Sequence, residues 1–164
     1  MSQKSSQKGF TIIEVVLVLA IAALIFLVVF LAVPALQRSQ RDTQRRADVG
    51  RLHAAIVNDA GNRQGTLPTV DTNFLNTRLR INGDTFSDPA KDDYTVVTGV
   101  HATGTNGETG GTPSAGTTYT TANSNIYYMS GAKCSVNGTF VPAGARSFAV
   151  SVVLESGGVY CQDS

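Results

Sequence analysis

The side chains that most often carry catalysis are few and scattered in this sequence. The two histidines, His53 and His101, stand far apart, and neither belongs to a Ser-His-Asp arrangement or to a metal-ligand pattern. The sequence also has no phosphate-binding glycine loop and no pair of carboxylates placed for general acid and base catalysis. It therefore predicts no catalytic residue, no cofactor and no enzymatic function.

A cluster of aspartates offers the oxygen ligands that calcium prefers. It consists of Asp84, Asp88, Asp92 and Asp93. Their spacing fits no EF-hand loop, in which the ligands recur at fixed positions. We expect a solvated loop in which the aspartates form turns, and we predict no metal site.

Five arginines between positions 38 and 51 form a basic stretch. They are Arg38, Arg41, Arg45, Arg46 and Arg51. The stretch also contains two aspartates and no aromatic side chain, and the whole chain has a net charge of only +1. This is a weak signature for a nucleic-acid partner. A solvated face, or one that forms salt bridges between subunits, is the expected role.

Cys134 and Cys161 are the two cysteines of the chain, and both lie in its C-terminal third. If the soluble part lies outside the cytoplasm, a single disulfide between them is expected. It would contribute roughly 3–4 kcal/mol by loop entropy. Two free thiols in a cytosolic domain are the alternative, and the lack of a CxxC spacing argues against a zinc site.

Glu14 is a single carboxylate at the head of a long apolar run. A basic-plus-glycine junction, Lys8-Gly9, and then Phe10 precede it, and the 19 residues from Val15 to Val33 carry no polar side chain. Such a run is long enough to span a hydrocarbon core of roughly 30 Å as a helix. An acid at bilayer depth costs on the order of 2.5–3.5 kcal/mol, so its presence at the edge of a span indicates a function.

Two ordinary export signals could also explain the apolar run. A secretory signal peptide would be cut near Val33-Pro34-Ala35, although this run is longer than a normal signal core. An uncleaved signal anchor is the second alternative. Neither explains the positions of Gly9, Phe10 and Glu14. Basic residues flank both ends of the run, so their number does not fix the orientation of the span.

The residues around Glu14 are positioned by one long predicted helix, from about Phe10 to about Ala60. Pro34 would bend or locally open this helix. Beyond the apolar run, Val49, Leu52 and Ile56 recur at helical spacing and form a stripe that could pack on a sheet. Gly61 is the expected end of the helix.

The remainder of the chain is predicted to form a connecting region and a small sheet. A short helix is expected near residues 74–79, and a Thr- and Gly-rich, exposed and mobile loop at residues 101–125. Strands are predicted at residues 94–100, 126–129, 147–154 and 159–161. The fold class is therefore α+β, with a long N-terminal helix packed on an antiparallel sheet of about four strands.

The junction Lys8-Gly9/Phe10-Thr11-Ile12-Ile13-Glu14, followed by the apolar run, resembles the prepilin leader junction of type IV pilins and pseudopilins. The resemblance is strong over residues 8–36 and is one of architecture over the rest of the chain. It implies a leader at residues 1–9, a transmembrane and filament-core segment at 10–36, an amphipathic helix segment at 37–60 and a globular head at 61–164.

The resemblance also implies roles for particular residues. A prepilin peptidase would cut between Gly9 and Phe10, and the new N-terminus at Phe10 would be methylated. Glu14 would direct assembly by pairing with the Phe10 ammonium of a neighbouring subunit. Pro34 would favour a kinked or melted stretch of helix in the filament.

The function that follows is structural. The chain would start as a single-pass membrane precursor, and a platform protein and ATPase motors would assemble it into a homo-oligomeric surface filament. Such a type IV pilus would serve adhesion, motility or DNA uptake. The alternatives are a pseudopilin of a type II secretion system and a single-span anchored protein with an extracellular binding domain.

Overall fold

The computed structural model describes residues 9–90, 93–101, 108–109, 125–136 and 138–164. The chain divides into two compact units, Met1–Gln37 and Arg38–Ser164, and helix α1 (Ile12–Asn62) contributes to both. The long predicted helix is therefore confirmed. The leader prediction falls outside the described residues except at Gly9. Most of the loop predicted at residues 101–125 also lies outside them.

The second unit contains one further helix and seven strands, which confirms the α+β class. Helix α2 spans Thr72–Arg78. The strands are β1 (Thr95–His101), β2 (Glu108–Thr109), β3 (Asn125–Ser130), β4 (Ala132–Cys134), β5 (Phe140–Pro142), β6 (Phe148–Val153) and β7 (Val159–Asp163). The sequence did not predict β2, β4 or β5, because runs of two or three residues are too short to show a strand periodicity.

The main sheet has five strands in the order β2-β1-β3-β6-β7, and β4 pairs with β5 in a separate two-stranded sheet. All the pairs are antiparallel except β1 with β3, which run parallel. The expectation of an antiparallel sheet of about four strands is therefore wrong at this pair. Parallel neighbours need a long crossover connection, and the segment between His101 and Asn125 supplies the necessary length.

One face of the sheet packs on the C-terminal part of α1. Val49, Leu52 and Ile56 are fully buried there, in one cluster with residues of β3 and β6 such as Ile126 and Val150. Their spacing of three and four residues places them on one side of the helix. The predicted stripe and its packing on a sheet are confirmed.

The opposite face of the sheet is covered by the β4–β5 hairpin. Because side chains alternate along a strand, Tyr127, Met129 and Ala149 point away from α1, and they cluster with Phe140 of β5. The bond between Cys134 and Cys161 joins the hairpin to β7. The predicted disulfide is therefore present.

Helix α1 ends later than the sequence predicted. Gly61 lies inside the helix, which continues to Asn62. The closing glycine is Gly65, whose φ is +85° and whose N–H donates to the carbonyl of Ala60 at 2.8 Å. A left-handed residue that returns its N–H to the last turn is a common way to end a helix.

Candidate functional site

The peptide bond between Gly9 and Phe10 lies just before helix α1. Both residues are exposed, and a Cβ added at Gly9 would have no neighbour within 4 Å. The Phe10 side chain is 89% exposed. Within the described part of its own chain, nothing therefore shields this bond from a protease.

Thr11 and Glu14 form a capping box at the start of α1. The Glu14 carboxylate accepts hydrogen bonds from Thr11 N–H at 2.9 Å and from Thr11 Oγ1 at 2.8 Å. In return, Glu14 N–H donates to Thr11 Oγ1 at 3.4 Å. The reciprocal pair satisfies backbone donors that a helix N-terminus otherwise leaves free. The sequence reasoning missed this role of Thr11, which the Thr-x-x-Glu spacing could have revealed.

The capping box leaves part of the Glu14 carboxylate available. Both hydrogen bonds that the side chain accepts end on Oε2, and among the described residues Oε1 has no partner. A carboxylate at a helix N-terminus is also favoured by the helix dipole. The arrangement therefore holds Glu14 in place while one oxygen remains free to bind a cation.

The apolar segment behind Glu14 has no packing partner within its own unit. Of residues 12–36 only Ala22 is even partly buried, and large side chains such as Phe30 and Leu31 are about three-quarters exposed, at 76% and 74%. The helix is long and apolar enough to cross a membrane, with a mean hydropathy of 3.4 over its most apolar window. It continues without interruption through Pro34. A helix that is apolar on all sides needs lipid or protein around it.

The second unit carries a separate cluster of charges around Arg45, whose side chain is completely buried. Its guanidinium binds Asp88 through Nε at 2.8 Å and Nη2 at 3.0 Å. Nη2 also donates to Glu155 at 2.8 Å, and Nη1 donates to Asp42 at 3.1 Å. We call Arg45, Asp42, Asp88 and Glu155 the Arg45 cluster. It ties helix α1 to the loop before β1 and to the β6–β7 turn.

Asp42 fastens the β6–β7 turn through the backbone as well. Its two carboxylate oxygens accept the N–H groups of Glu155 at 2.8 Å and Ser156 at 2.9 Å. Burial alone would raise the pKa of Asp42, but the hydrogen bonds from Ser156, Glu155 and Arg45 outweigh it and lower the pKa. The pKa of Glu155 is lowered as well, chiefly by its hydrogen bonds from Arg41.

These contacts correct two expectations drawn from the sequence. The aspartates at 84–93 are not simply a solvated loop: Asp88 is buried against Arg45, Asp84 pairs with Arg51, and Asp93 pairs with Arg80 at 2.8 Å. Asp92 lies outside the described residues. The basic stretch is likewise not a solvated face throughout, because some of its arginines bind carboxylates of the same chain. A single sequence shows charge but not which distant charge it meets.

Another buried acid of α1, Asp48, lies about one helical turn beyond Arg45. It accepts a hydrogen bond from the Tyr94 hydroxyl at 2.9 Å, and Arg51 lies 3.6 Å away. Burial raises the pKa of Asp48 despite these two neighbours. Burial and the Asp48 charge also raise the pKa of Tyr94. The pair fixes the start of β1 on the helix.

His53 takes part in no polar site in the described structure. The ring of His53 lies 5.0 Å from the ring of Phe148, and the side chain of His101 lies outside the described residues. In the part of the chain that the structure describes, no three His, Cys, Asp or Glu side chains are grouped so that they could hold a metal ion.

Comparison with known proteins gives a match at the N-terminus. Residues 4–30 match the family model described as the prokaryotic N-terminal methylation motif. No curated protein and no solved structure matches the chain significantly. The motif supports a type IV pilin or pseudopilin family for this chain, and with the apolar helix it fits a membrane-anchored precursor. Proteins of the pilin type are structural and not enzymatic.

Proposed function

We propose that this chain is a structural subunit of a type IV pilus. In this proposal a prepilin peptidase removes residues 1–9, Phe10 is methylated, and the mature chain polymerises through its N-terminal helix into a surface filament. The observation that carries the proposal is the apolar helix. It overlaps the matched methylation motif, is exposed on all sides within its unit and starts with the Thr11–Glu14 capping box.

The helix would occupy two environments in succession. Before assembly, lipid would surround the apolar segment, and Glu14 would be tolerated because it lies at the edge of the span. After assembly, the same surface would be buried against the helices of neighbouring subunits. These contacts between helices would replace the contacts with lipid that the segment loses when it leaves the membrane.

Glu14 would set the position of each subunit relative to the next. Its free Oε1 would accept a hydrogen bond from the Phe10 ammonium of a neighbouring subunit, while Thr11 continues to donate to Oε2. A buried ion pair contributes little net stability, because desolvation offsets its attraction, but an unpaired charge in the core is strongly unfavourable. The pair would therefore select one register rather than strengthen the filament.

The chain would carry out no catalysis of its own in this function. A platform protein and cytoplasmic ATPase motors would supply the work of moving subunits out of the membrane. Pro34 would act as a point where the helix bends or opens during this movement, because proline removes one hydrogen bond of the helix. The head would provide the exposed surface of the filament.

The first experiment is to determine the N-terminal residue of the mature protein by mass spectrometry. The expected chain begins with methylated Phe10. A mature chain that begins at Leu36 would mean ordinary signal-peptidase cleavage, and an intact leader would mean a simple anchor. Either result would contradict the proposal.

The second experiment separates the two roles of Glu14. Glu14→Ala removes both the cap and the charge, whereas Glu14→Gln keeps a side chain that can cap but loses the charge. We expect both variants to be inserted and processed, and both to yield few or no surface filaments. Normal filaments from Glu14→Gln would show that capping is sufficient and would refute the charge pair.

The location of the wild-type chain tests the alternative function. Wild-type chains found only in a secretion apparatus would indicate a pseudopilin.

A further inference from the structure

An exposed turn between α2 and β1 contains the dipeptide Asn82-Gly83. Both residues are left-handed, with φ of +57° and +81°, and Asp84 N–H donates to the carbonyl of Ile81 at 3.0 Å. Asparagine followed by glycine is the preferred pair for a two-residue turn with two positive φ angles. The turn is held by this one backbone hydrogen bond and by the ion pair of Asp84 with Arg51 at the surface.

The same dipeptide is the one most prone to lose its side-chain amide. The backbone nitrogen of the glycine can attack Cγ of the preceding asparagine, because glycine has no Cβ to hinder the approach. A bond forms between Gly83 N and Asn82 Cγ, the Cγ–Nδ2 bond breaks, and ammonia leaves with the peptide proton. Water then opens the cyclic imide at either carbonyl and yields aspartate or isoaspartate at position 82.

The structure leaves the attacking nitrogen at Gly83 unrestrained. Among the described residues, Gly83 N–H donates to no acceptor, and a Cβ added at this glycine would meet nothing within 4 Å. Asn82 is exposed as well. To bring the nitrogen to Cγ, the turn has to give up only contacts that already face water.

A second Asn-Gly pair provides a comparison within the same chain. At Asn137-Gly138, the nitrogen of Gly138 donates to the carbonyl of Ser135 at 3.0 Å. Gly138 is also packed so closely on β7 that an added Cβ would lie 2.7 Å from Cβ of Val159. Asn137 itself lies outside the described residues. Reaction at this pair would require breaking a hydrogen bond and moving a packed segment.

We propose that Asn82 is a spontaneous modification site of the folded chain, where deamidation converts the residue to aspartate or isoaspartate. The product lowers the formal net charge of +1 by one unit. The new carboxylate lies two residues from Asp84, which already pairs with Arg51. An isoaspartate would also lengthen the backbone of the turn that leads to the buried Phe86. The change is one-way and accumulates with the age of the molecule.

The test follows deamidation in the full-length chain in detergent during incubation in mildly alkaline buffer. Trypsin places the two pairs in different peptides, 81–91 and 134–146, and each is scored for the mass increase from NH2 to OH. In both peptides a β-branched aliphatic residue precedes the asparagine, so their intrinsic rates should be similar. A reduced and urea-unfolded sample measures those intrinsic rates.

In the folded chain we expect peptide 81–91 to react at least about fivefold faster than peptide 134–146, the factor that corresponds to one net hydrogen bond. In the unfolded sample the two rates should be close to equal. Asn82→Gln, which lengthens the side chain and disfavours ring closure, should abolish the mass increase in 81–91 and leave 134–146 unchanged. Equal rates in the folded chain, or faster reaction at 134–146, would overturn the proposal. A third Asn-Gly pair, Asn106-Gly107, lies in a separate tryptic peptide, so its deamidation does not add to the mass of either measured peptide.

Discussion

Replacing Arg45 with methionine is expected to destabilise the second unit strongly. Methionine fills a similar apolar volume but removes the guanidinium that binds Asp42, Asp88 and Glu155. Asp42 and Glu155 each lose one contact with Arg45. Asp88, in contrast, is fully buried and loses a two-point contact, so the largest penalty falls on Asp88 even though it keeps the Ala90 N–H. Removing one partner of a buried ion pair typically costs about 3–5 kcal/mol, and we expect Arg45→Met to fall in this range.

The assay is urea unfolding of the detergent-solubilised chain, followed by tyrosine fluorescence because the sequence has no tryptophan. With an m-value of about 2 kcal/mol/M, the unfolding midpoint should fall by roughly 1.5–2.5 M. Arg38→Met is the matched control, because Arg38 is exposed on the same helix. A surface change of this kind should alter stability by less than about 0.5 kcal/mol.

Two further variants test whether the loss of stability comes from the contact between Arg45 and Asp88. Arg45→Lys keeps the charge but loses the planar fork that binds Asp88 at two points, so its stability should lie between those of wild type and Arg45→Met. Adding Asp88→Asn to Arg45→Met should recover part of the loss, because the buried negative charge that the guanidinium balanced is then gone. The reasoning fails if Arg45→Met shifts the midpoint no more than Arg38→Met does, or if the two changes at 45 and 88 are simply additive.

Three more predictions concern the stability of the second unit. Replacing both Cys134 and Cys161 with serine should lower its stability by roughly 3–4 kcal/mol in the same urea assay, and no loss would contradict a stapling role. Gly138→Ala should destabilise more than Gly83→Ala, because both positions have positive φ but only the first would clash with β7. For Glu155, the lowered pKa means that its stabilising contribution is present above the unfolded pKa and is lost as the pH falls through the folded value. Glu155→Gln should therefore flatten the loss of stability below about pH 4, and an unchanged acid profile would refute this.

Much of the fold was predictable because it depends on local sequence patterns. Val49, Leu52 and Ile56 recur at helical spacing, whereas the apolar run and strand β6 are signalled by the length and type of a continuous apolar stretch. Elements that depend on distant partners were not predictable. The short strands β4 and β5 exist because they pair with each other and cover the sheet, and the parallel pairing of β1 with β3 depends on a crossover between them.

In the candidate site, too, local signals could be read from the sequence, whereas contacts between distant residues could not. Gly9, Phe10 and Glu14 could be predicted as site residues because their order along the chain is itself the signal, and these roles stay predictions. The capping role of Thr11 was missed although its signal is equally local. The roles of Asp88 and Arg45 could not be inferred. Their contact joins residues 43 positions apart, and neither sequence neighbourhood differs from that of an exposed charge.

The Arg45 cluster also constrains the order in which the second unit can fold. Asp42 and Arg45 contact Glu155 and Ser156, which lie 110–114 residues further along the chain. Contacts of such high sequence separation form slowly, because a long segment must be ordered before they contribute. The contacts of Asp42 and Arg45 with the β6–β7 turn therefore form only once that turn is available. If residues 38–164 cross a membrane in chain order behind the N-terminal helix, these contacts can form only after nearly all of them have crossed.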